Sequence, residues 1–248
     1  MLRPFVKKFL NDKQVIFCRK YYFKLRAFFF PNNLPFLALA HGTDKEGFHS
    51  YCKFYQRHFK SIQKDKLNIF EIGVGGYGNP HEGGNSLRMW KNYFRKSNIF
   101  GIDIFDKSGL NEKRIKTFQG SQTDEDFLKS VVSKIGKIDI VIDDGSHINN
   151  HVIETFKILF PLINKDAIYV IEDLQTSYWT KTSGIDWGGS RDLNDSKTSM
   201  NFIKSLVDCI NHKDFEDKDY IPTHFDKNIS SVHFYKKIAF IFKGEIYE

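Results

Sequence analysis

A chain of 248 residues with 41% hydrophobic and 27% charged residues can bury a full core in one elaborated domain, and large-scale disorder is excluded. Its formal net charge of +7 is concentrated at one end: Arg3, Lys7, Lys8, Lys13, Arg19, Lys20, Lys24 and Arg26 face a single acid, Asp12, and the remaining 29 basic and 29 acidic residues cancel. A neutral body speaks against a nucleic-acid-binding domain, and Cys18, Cys52 and Cys209, scattered and without C-x-x-C spacing, suggest neither a disulfide framework nor a zinc site.

No stretch approaches the roughly 20 apolar residues of a membrane span. Lys7, Lys8 and Lys13 also interrupt any signal-peptide core, so reduced thiols and a cytoplasmic location are expected. In residues 1–30, apolar residues recur at Leu2, Phe5, Val6, Phe9 and Leu10, then at Phe17, Tyr21, Leu25 and Phe28, the spacing of one or two amphipathic helices with basic flanks. Such an arm packs on its own domain or on a second subunit, or it lies on an anionic membrane surface or a partner enzyme. Pro31-Asn-Asn-Leu-Pro35 is a break, so residues 1–40 read as a basic, aromatic helical arm and 41–248 as the main domain. The stretch His41–Phe59 opens it as a helix with a Thr/Asp cap.

Leu67–Ile72 is the first buried strand, and it runs into Gly73, Gly75, Gly76 and Gly78. A helix begins near Ser86 with Leu87, Trp90 and Phe94 on one side, and Ile99–Ile104 is a second strand with Asp103 at its end. Strand Arg114–Phe118, a helix from Asp124, strand Ile138–Ile142, helix Ile148–Leu162 and strand Ala167–Ile171 follow. Alternating strands and helices with short connections predict an α/β, doubly wound, mostly parallel sheet. Tyr178–Asn194 is too polar for core and has the length of a lid. After helix Met200–Ile210, strands Ser231–Tyr235 and Ile238–Phe242, parted only by Lys236-Lys237, predict a C-terminal antiparallel pair. That pair suits a methyltransferase better than a plain nucleotide-binding domain.

Two segments carry the chemistry. Asp139–His151 (DIVIDDGSHINNH) and Tyr169–Asp173 (YVIED) are apolar strands that end abruptly in acids, and open α/β sheets bind ligands at such carboxyl ends. Asp143 and Asp144 are adjacent and face opposite ways if both stay on the strand, so one of them enters a metal site with its side chain. Asp144, Glu172 and Asp173 offer three hard oxygen ligands, which favour Mg²⁺ over zinc. His147, three residues beyond Asp144, is placed to take the proton of an activated hydroxyl. Glu71-Ile-Gly73-Val-Gly75 at a strand end would let a cofactor lie on the backbone, with Asp103 accepting from ribose hydroxyls and Asp143 counted on the cofactor side. Gly73-x-Gly75-x-x-Gly78 also satisfies the dinucleotide fingerprint, but Asn79–Gly84 postpones the helix, which favours S-adenosylmethionine over NAD.

Together these residues resemble the macrocin- and mycinamicin-type sugar O-methyltransferases. The resemblance runs through GTDKEGFHSYCKFYQRHF (42–59), EIGVGGYGNPHEGGNSLRMWKNYF (71–94), GIDIFDKS (101–108), QGSQTD (119–124), IDDGSHINNH (142–151), YVIEDLQTSYW (169–179) and GGSRDLND (188–195). It implies a Rossmann-like class I methyltransferase fold, S-adenosylmethionine as donor, Mg²⁺, and a sugar hydroxyl as acceptor. It also implies Asp144, Glu172 and Asp173 as metal ligands, His147 as base, and Glu71, Gly73 and Asp103 at the cofactor. Ser121 and Gln122 would stand near the adenine, and Tyr178, Trp179 and Asp192 on the acceptor side. The family's macrolide-modifying members carry a larger auxiliary region before the catalytic domain, whereas about 40 basic, aromatic residues stand there in this sequence.

The expected function is therefore Mg²⁺-dependent methylation of a sugar or glycan hydroxyl by a homo-oligomer. A basic arm suits an acceptor made at the inner membrane face, such as a surface-polysaccharide sugar. Two other readings stay open. One is an NAD-dependent sugar oxidoreductase, for which Tyr51-x-x-x-Tyr55 and Tyr178-x-x-Lys181 supply no Tyr-x-x-x-Lys pair. The other is a non-catalytic partner of a glycosyltransferase, against which the five polar groups retained around one crevice argue.

Overall fold

The computed structural model describes residues 12–245, which fall into two compact units. One comprises the described residues up to Lys66 with Gly84–Ser97, and the other Leu67–Gly83 with the residues from Asn98 onward. Apolar residues at Leu2–Leu10, read as helical above, lie outside the described residues.

The first unit is helical: α1 (Asp12–Phe29), α2 (Leu34–His41), α3 (Cys52–Phe59) and α4 (Asn85–Tyr93). Asn33 caps α2 by accepting from the Phe36 N–H, and Pro35 sits in the first turn, where its missing donor costs nothing. The single helix expected over His41–Phe59 forms only in its second half. α2 ends at His41, the Lys45 N–H turns back to Thr43 Oγ1 (3.4 Å), and helix resumes only at Cys52. An aromatic cluster holds this unit, with Tyr55 edge-on to Trp90 at 4.9 Å and Phe59 tilted on Phe94 at 5.6 Å, all fully buried. Leu87, Trp90 and Phe94 are buried as their spacing predicts, whereas Tyr21, Tyr22, Leu25, Phe28 and Phe29 of α1 are exposed.

The second unit is a seven-stranded sheet flanked by α5 (Glu125–Ile135), α6 (Asn149–Leu162) and α7 (Ser199–Ile210). Its strands are β1 (Asn68–Ile72), β2 (Asn98–Asp103), β3 (Ile115–Gln119), β4 (Ile140–Asp143), β5 (Ile168–Ile171), β8 (Ile229–Tyr235) and β9 (Ile238–Lys243), in the order β3-β2-β1-β4-β5-β9-β8. The first five run parallel; β9 is antiparallel to β5, and β8 to β9. Near-continuous apolar runs mark β4 and β5 as buried on both faces. Phe156 and Phe160 of α6 stack at 4.8 Å, and Phe156 meets Tyr169 of β5 edge-on. Each such side chain contributes roughly 1.5–3 kcal/mol by leaving water. At the end of α6 the buried Lys243 ammonium donates to the carbonyls of Phe160 (2.8 Å) and Ile163 (3.0 Å), which satisfies helix-terminal acceptors.

Register places the site. Ile72 lies opposite both Ile102 and Asp143, and Asp143 lies opposite Ile171. Asp103 at the end of β2 and Gly73, Asp144 and Glu172 just beyond their strands therefore lie along one carboxyl edge.

Candidate active site

Three of the acids and bases singled out in the sequence converge there. Asp144, His147 and Asp173 each offer a ligand atom, and these atoms lie within 4.8 Å of one another. His147 Nε2 is 3.7 Å from Asp144 Oδ1 and 3.8 Å from Asp173 Oδ2. Both His147 (φ 56) and Asp173 (φ 54) sit in the left-handed region, which non-glycine residues adopt at a cost of about 1–3 kcal/mol. Their side chains meet that of Asp144 at the sheet edge. The buried Glu172, whose N–H donates to the Asp143 carbonyl at 3.0 Å, stands outside this group.

Asp143 ends β4 and Asp144 leaves it, and their side chains part. Asp144 reaches the cluster, while Asp143 is buried and accepts from the Gly145 N–H at 3.3 Å. Burial pushes the Asp143 carboxyl up to about 7, and the neighbouring Asp144 charge adds to the rise against that hydrogen bond. Gln122 is committed in the same interior: Nε2 donates to Thr155 Oγ1 (3.0 Å) and Oε1 accepts from the Ser146 N–H (2.8 Å). Its side chain thus pins the Asp144–His147 turn to α6. Ser121 Oγ pairs with Thr123 Oγ1 at 3.0 Å.

The glycine loop stands beside the cluster. At Gly73 (φ 85) a Cβ would lie 2.0 Å from the Asp144 carbonyl oxygen, so the absent side chain lets the two loops touch. At Gly75 (φ 73) no atom lies within 4 Å of the Cβ position, which leaves backbone open to a ligand. Asp103 holds this geometry by accepting from the Val74 N–H (2.9 Å) and the Phe105 N–H (3.0 Å), with lone pairs left on both oxygens. Glu71 is buried on β1 opposite Gly101 and Ile142. Helix α4 starts at Asn85, well beyond Gly78, unlike the dinucleotide fingerprint, where the glycines open the helix.

Nothing in residue type or spacing singles out Lys107 within GIDIFDKS. It lies in the loop after β2, where a lysine normally reads as solvated, yet it is 1% exposed. Its ammonium donates to the carbonyls of Tyr77, Asn79 (3.0 Å) and Glu82 (3.3 Å), all in the glycine loop. Lys107→Met keeps the stem and strands three carbonyls, so a loss of about 3 kcal/mol in stability is expected. Cofactor affinity should weaken roughly tenfold; denaturant titration and calorimetry check both, and unchanged affinity would show that the loop holds its shape without the ammonium.

Of the residues expected to face an acceptor, Tyr178 and Trp179 are 47% and 40% exposed. The Tyr178–Asn194 segment is not an open loop: β6 (Lys181–Thr182) and β7 (Ile185–Asp186) form a short hairpin. It folds back through the Gly189 N–H on the Trp179 carbonyl and the Ser190 N–H on the Ser177 carbonyl. Trp187 meets Trp179 edge-on at 6.0 Å. Asp192 is exposed, and its Oδ1 caps its own turn by accepting from the Asn194 N–H.

Comparison with known proteins points to one group of relatives. The chain is 45% identical over 208 residues to the 8-demethyl-8-alpha-L-rhamnosyl tetracenomycin-C 2'-O-methyltransferase of Streptomyces olivaceus, covering 84% of this chain and 53% of that one. To the mycinamicin VI 2''-O-methyltransferase of Micromonospora griseorubida it is 44% identical over 215 residues, 86% of this chain and 53% of the relative. To the demethylmacrocin O-methyltransferase of Streptomyces fradiae it is 44% identical over 197 residues, 79% and 49%. Among solved structures it superposes on the MycE methyltransferase of the mycinamycin pathway, in complex with Mg and SAH, with a TM-score of 0.81 at 44% identity, over 86% of this chain and 54% of that one. No protein-family model matches the chain. The chain spans about half the length of the curated relatives it matches. Over that shared half, with its mostly parallel sheet, antiparallel C-terminal pair and acidic sheet edge, the chain has the class I, Rossmann-like methyltransferase fold and is a close homologue of the macrocin- and mycinamicin-type sugar O-methyltransferases.

Proposed function

We propose that the protein transfers a methyl group from S-adenosylmethionine to a sugar hydroxyl with the help of Mg²⁺. The convergence of Asp144, His147 and Asp173 beside an open glycine backbone carries this reading. The two carboxylates offer hard oxygen ligands that fit a small, oxygen-seeking divalent ion, with the His147 imidazole beside them. Asp144 and Asp173 would hold it, and the family likeness adds Glu172 as a third carboxylate. When bound, such an ion lowers the pKa of an acceptor hydroxyl, and S-adenosylmethionine supplies an electrophilic sulfonium methyl.

The chain's own residues do the rest. His147 takes the hydroxyl proton at Nε2, the atom that faces the two carboxylates. Asp103 receives ribose hydroxyls on its remaining lone pairs, and the Gly73–Gly75 backbone carries the amino-acid end of the donor. Tyr178 and Trp179 offer exposed aromatic faces for a sugar ring, with Asp192 at the rim. Holding the two reactants in line supplies most of the acceleration.

Calorimetric titration of chelator-stripped protein with S-adenosylmethionine, with NAD in parallel, tests the donor. Saturable binding of the sulfonium cofactor alone is expected, and binding of NAD alone overturns the reading. Methyl transfer with Mg²⁺ to a panel of rhamnosides and other glycosides then tests the acceptor class.

We also propose that the acceptor belongs to cell-surface polysaccharide or a related glycoside and is met at an anionic membrane. Helix α1 supports this, because Tyr21, Tyr22, Leu25, Phe28 and Phe29 are exposed on a helix that also carries five Lys and Arg. Among the described residues no helix is long and apolar enough to cross a membrane, so contact would be peripheral. Flotation with anionic vesicles should carry the full chain and not a variant lacking residues 1–30; equal flotation of both removes the support.

A further inference from the structure

Asn149 opens α6 two residues after His147 and is fully buried. Its side chain bonds to three other segments. Nδ2 donates to the Thr176 carbonyl (3.2 Å) and the Trp187 carbonyl (2.8 Å), and its backbone N–H donates to the same Trp187 carbonyl (2.9 Å). Oδ1 accepts from the Ser199 N–H (2.7 Å) and lies 2.8 Å from the hydroxyls of Ser199 and Ser177, which are 2.9 Å from each other. Both amide protons and both lone pairs are used, with one hydroxyl donating to Oδ1 and the other able to donate to its neighbour.

We propose that Asn149 is a positioning residue that locks the His147 turn to the Asp173 turn and to the aromatic hairpin, so that the metal-binding group and the acceptor platform assemble together. This rests on the methyltransferase reading above. The links are short. Thr176 donates from its N–H and its Oγ1 to the Asp173 carbonyl, both at 3.2 Å, so fixing the Thr176 carbonyl fixes the turn that aims Asp173. Trp187 closes the hairpin on Trp179, so fixing its carbonyl fixes the exposed aromatic surface. The left-handed conformations of His147 and Asp173 persist only where their surroundings over-determine them, and Asn149 touches both turns.

Only a primary amide meets these demands. Aspartate in its place sets an oxygen against two carbonyl oxygens while keeping size and the acceptor side. None of the Asn149 side-chain bonds reaches the glycine loop or Asp103, so the donor site is spared. That selectivity separates positioning from general structural support.

The test uses the full chain and its Asn149→Asp variant, with three readouts: S-adenosylhomocysteine affinity by calorimetry, Mn²⁺ affinity by electron paramagnetic resonance, and tryptic cleavage after the exposed Lys181 of the hairpin. We expect S-adenosylhomocysteine affinity within about threefold of wild type, Mn²⁺ affinity at least about tenfold weaker, and cleavage about tenfold faster. Wild-type Mn²⁺ affinity with a protected hairpin overturns the proposal, and so does a parallel fall in all affinities. Should Asn149→Asp not fold, Ser177→Ala removes one Oδ1 partner and decides the matter by the same ordering at smaller size; unchanged or parallel affinities there are equally fatal. A wild-type protein that binds neither probe sinks the functional reading itself, and that failure is visible before any variant is compared.

Discussion

Gly73→Ala is expected to abolish donor binding and metal binding together. The new Cβ would stand 2.0 Å from the Asp144 carbonyl oxygen, 2.8 Å from its carbonyl carbon and 3.0 Å from the Gly145 Cα, so backbone on one side must move. The φ of 85° adds strain of about 1–3 kcal/mol, whichever side yields. If Asp144 yields, its carboxylate leaves His147 and Asp173; if Gly73 yields, the open backbone at Gly75 is lost. S-adenosylhomocysteine affinity should fall by about two orders of magnitude or more, equivalent to roughly 3 kcal/mol. Mn²⁺ affinity should fall with it. Gly75→Ala is the control, since its Cβ meets nothing in the protein. It should fold with a penalty near 1 kcal/mol and still bind Mn²⁺. Wild-type affinities for both ligands in Gly73→Ala would show that the two loops are not mechanically joined.

The second large effect is expected at His147. Asparagine is the informative replacement, because it tolerates the left-handed φ of 56° better than alanine and so keeps the turn. Removing the proton acceptor should lower kcat by about 10²–10⁴, with S-adenosylhomocysteine affinity within a few-fold of wild type. Single-turnover methyl transfer measures the first and calorimetry the second. A kcat within threefold of wild type would assign proton removal to another group.

Much of this arrangement is legible in the chain itself. The strand order of events, β-α repeated and then two strands across Lys236-Lys237, follows from apolar runs and turn residues and needs no tertiary information. The acids that end β4 and β5 stand out because ionisable residues directly after buried β-branched runs have no place in a core. Strand alternation anticipates that Asp143 and Asp144 part, and the end of β4 at Asp143 completes the division by releasing Asp144 into the loop.

Other features are invisible in one dimension. The aromatic residues of His41–Phe59 fall mostly at helical spacing, but the first half is turns, among them the Lys45 N–H on Thr43 Oγ1, and helix begins only at Cys52. Gln122 reads as a free polar residue near a cofactor, yet its amide is occupied at both ends by Thr155 and Ser146. The roles of Lys107 and Asn149 cannot be read from the stretches that contain them, because their partners lie on other segments, as far as 50 residues away for Asn149.

The sequence by itself determined the class of fold, the sheet edge that bears the chemistry, and which acids and histidine stand on it, because hydrophobic periodicity and strand alternation are local properties. Only the tertiary structure decided which of them meet. It brought Asp144, His147 and Asp173 within 4.8 Å, left Glu172 outside that group, and sealed Asp143 in the interior. Those outcomes depend on the parallel register of β1, β4 and β5 and on two left-handed turns held by distant hydrogen bonds, and such long-range constraints have no local residue pattern from which to be read.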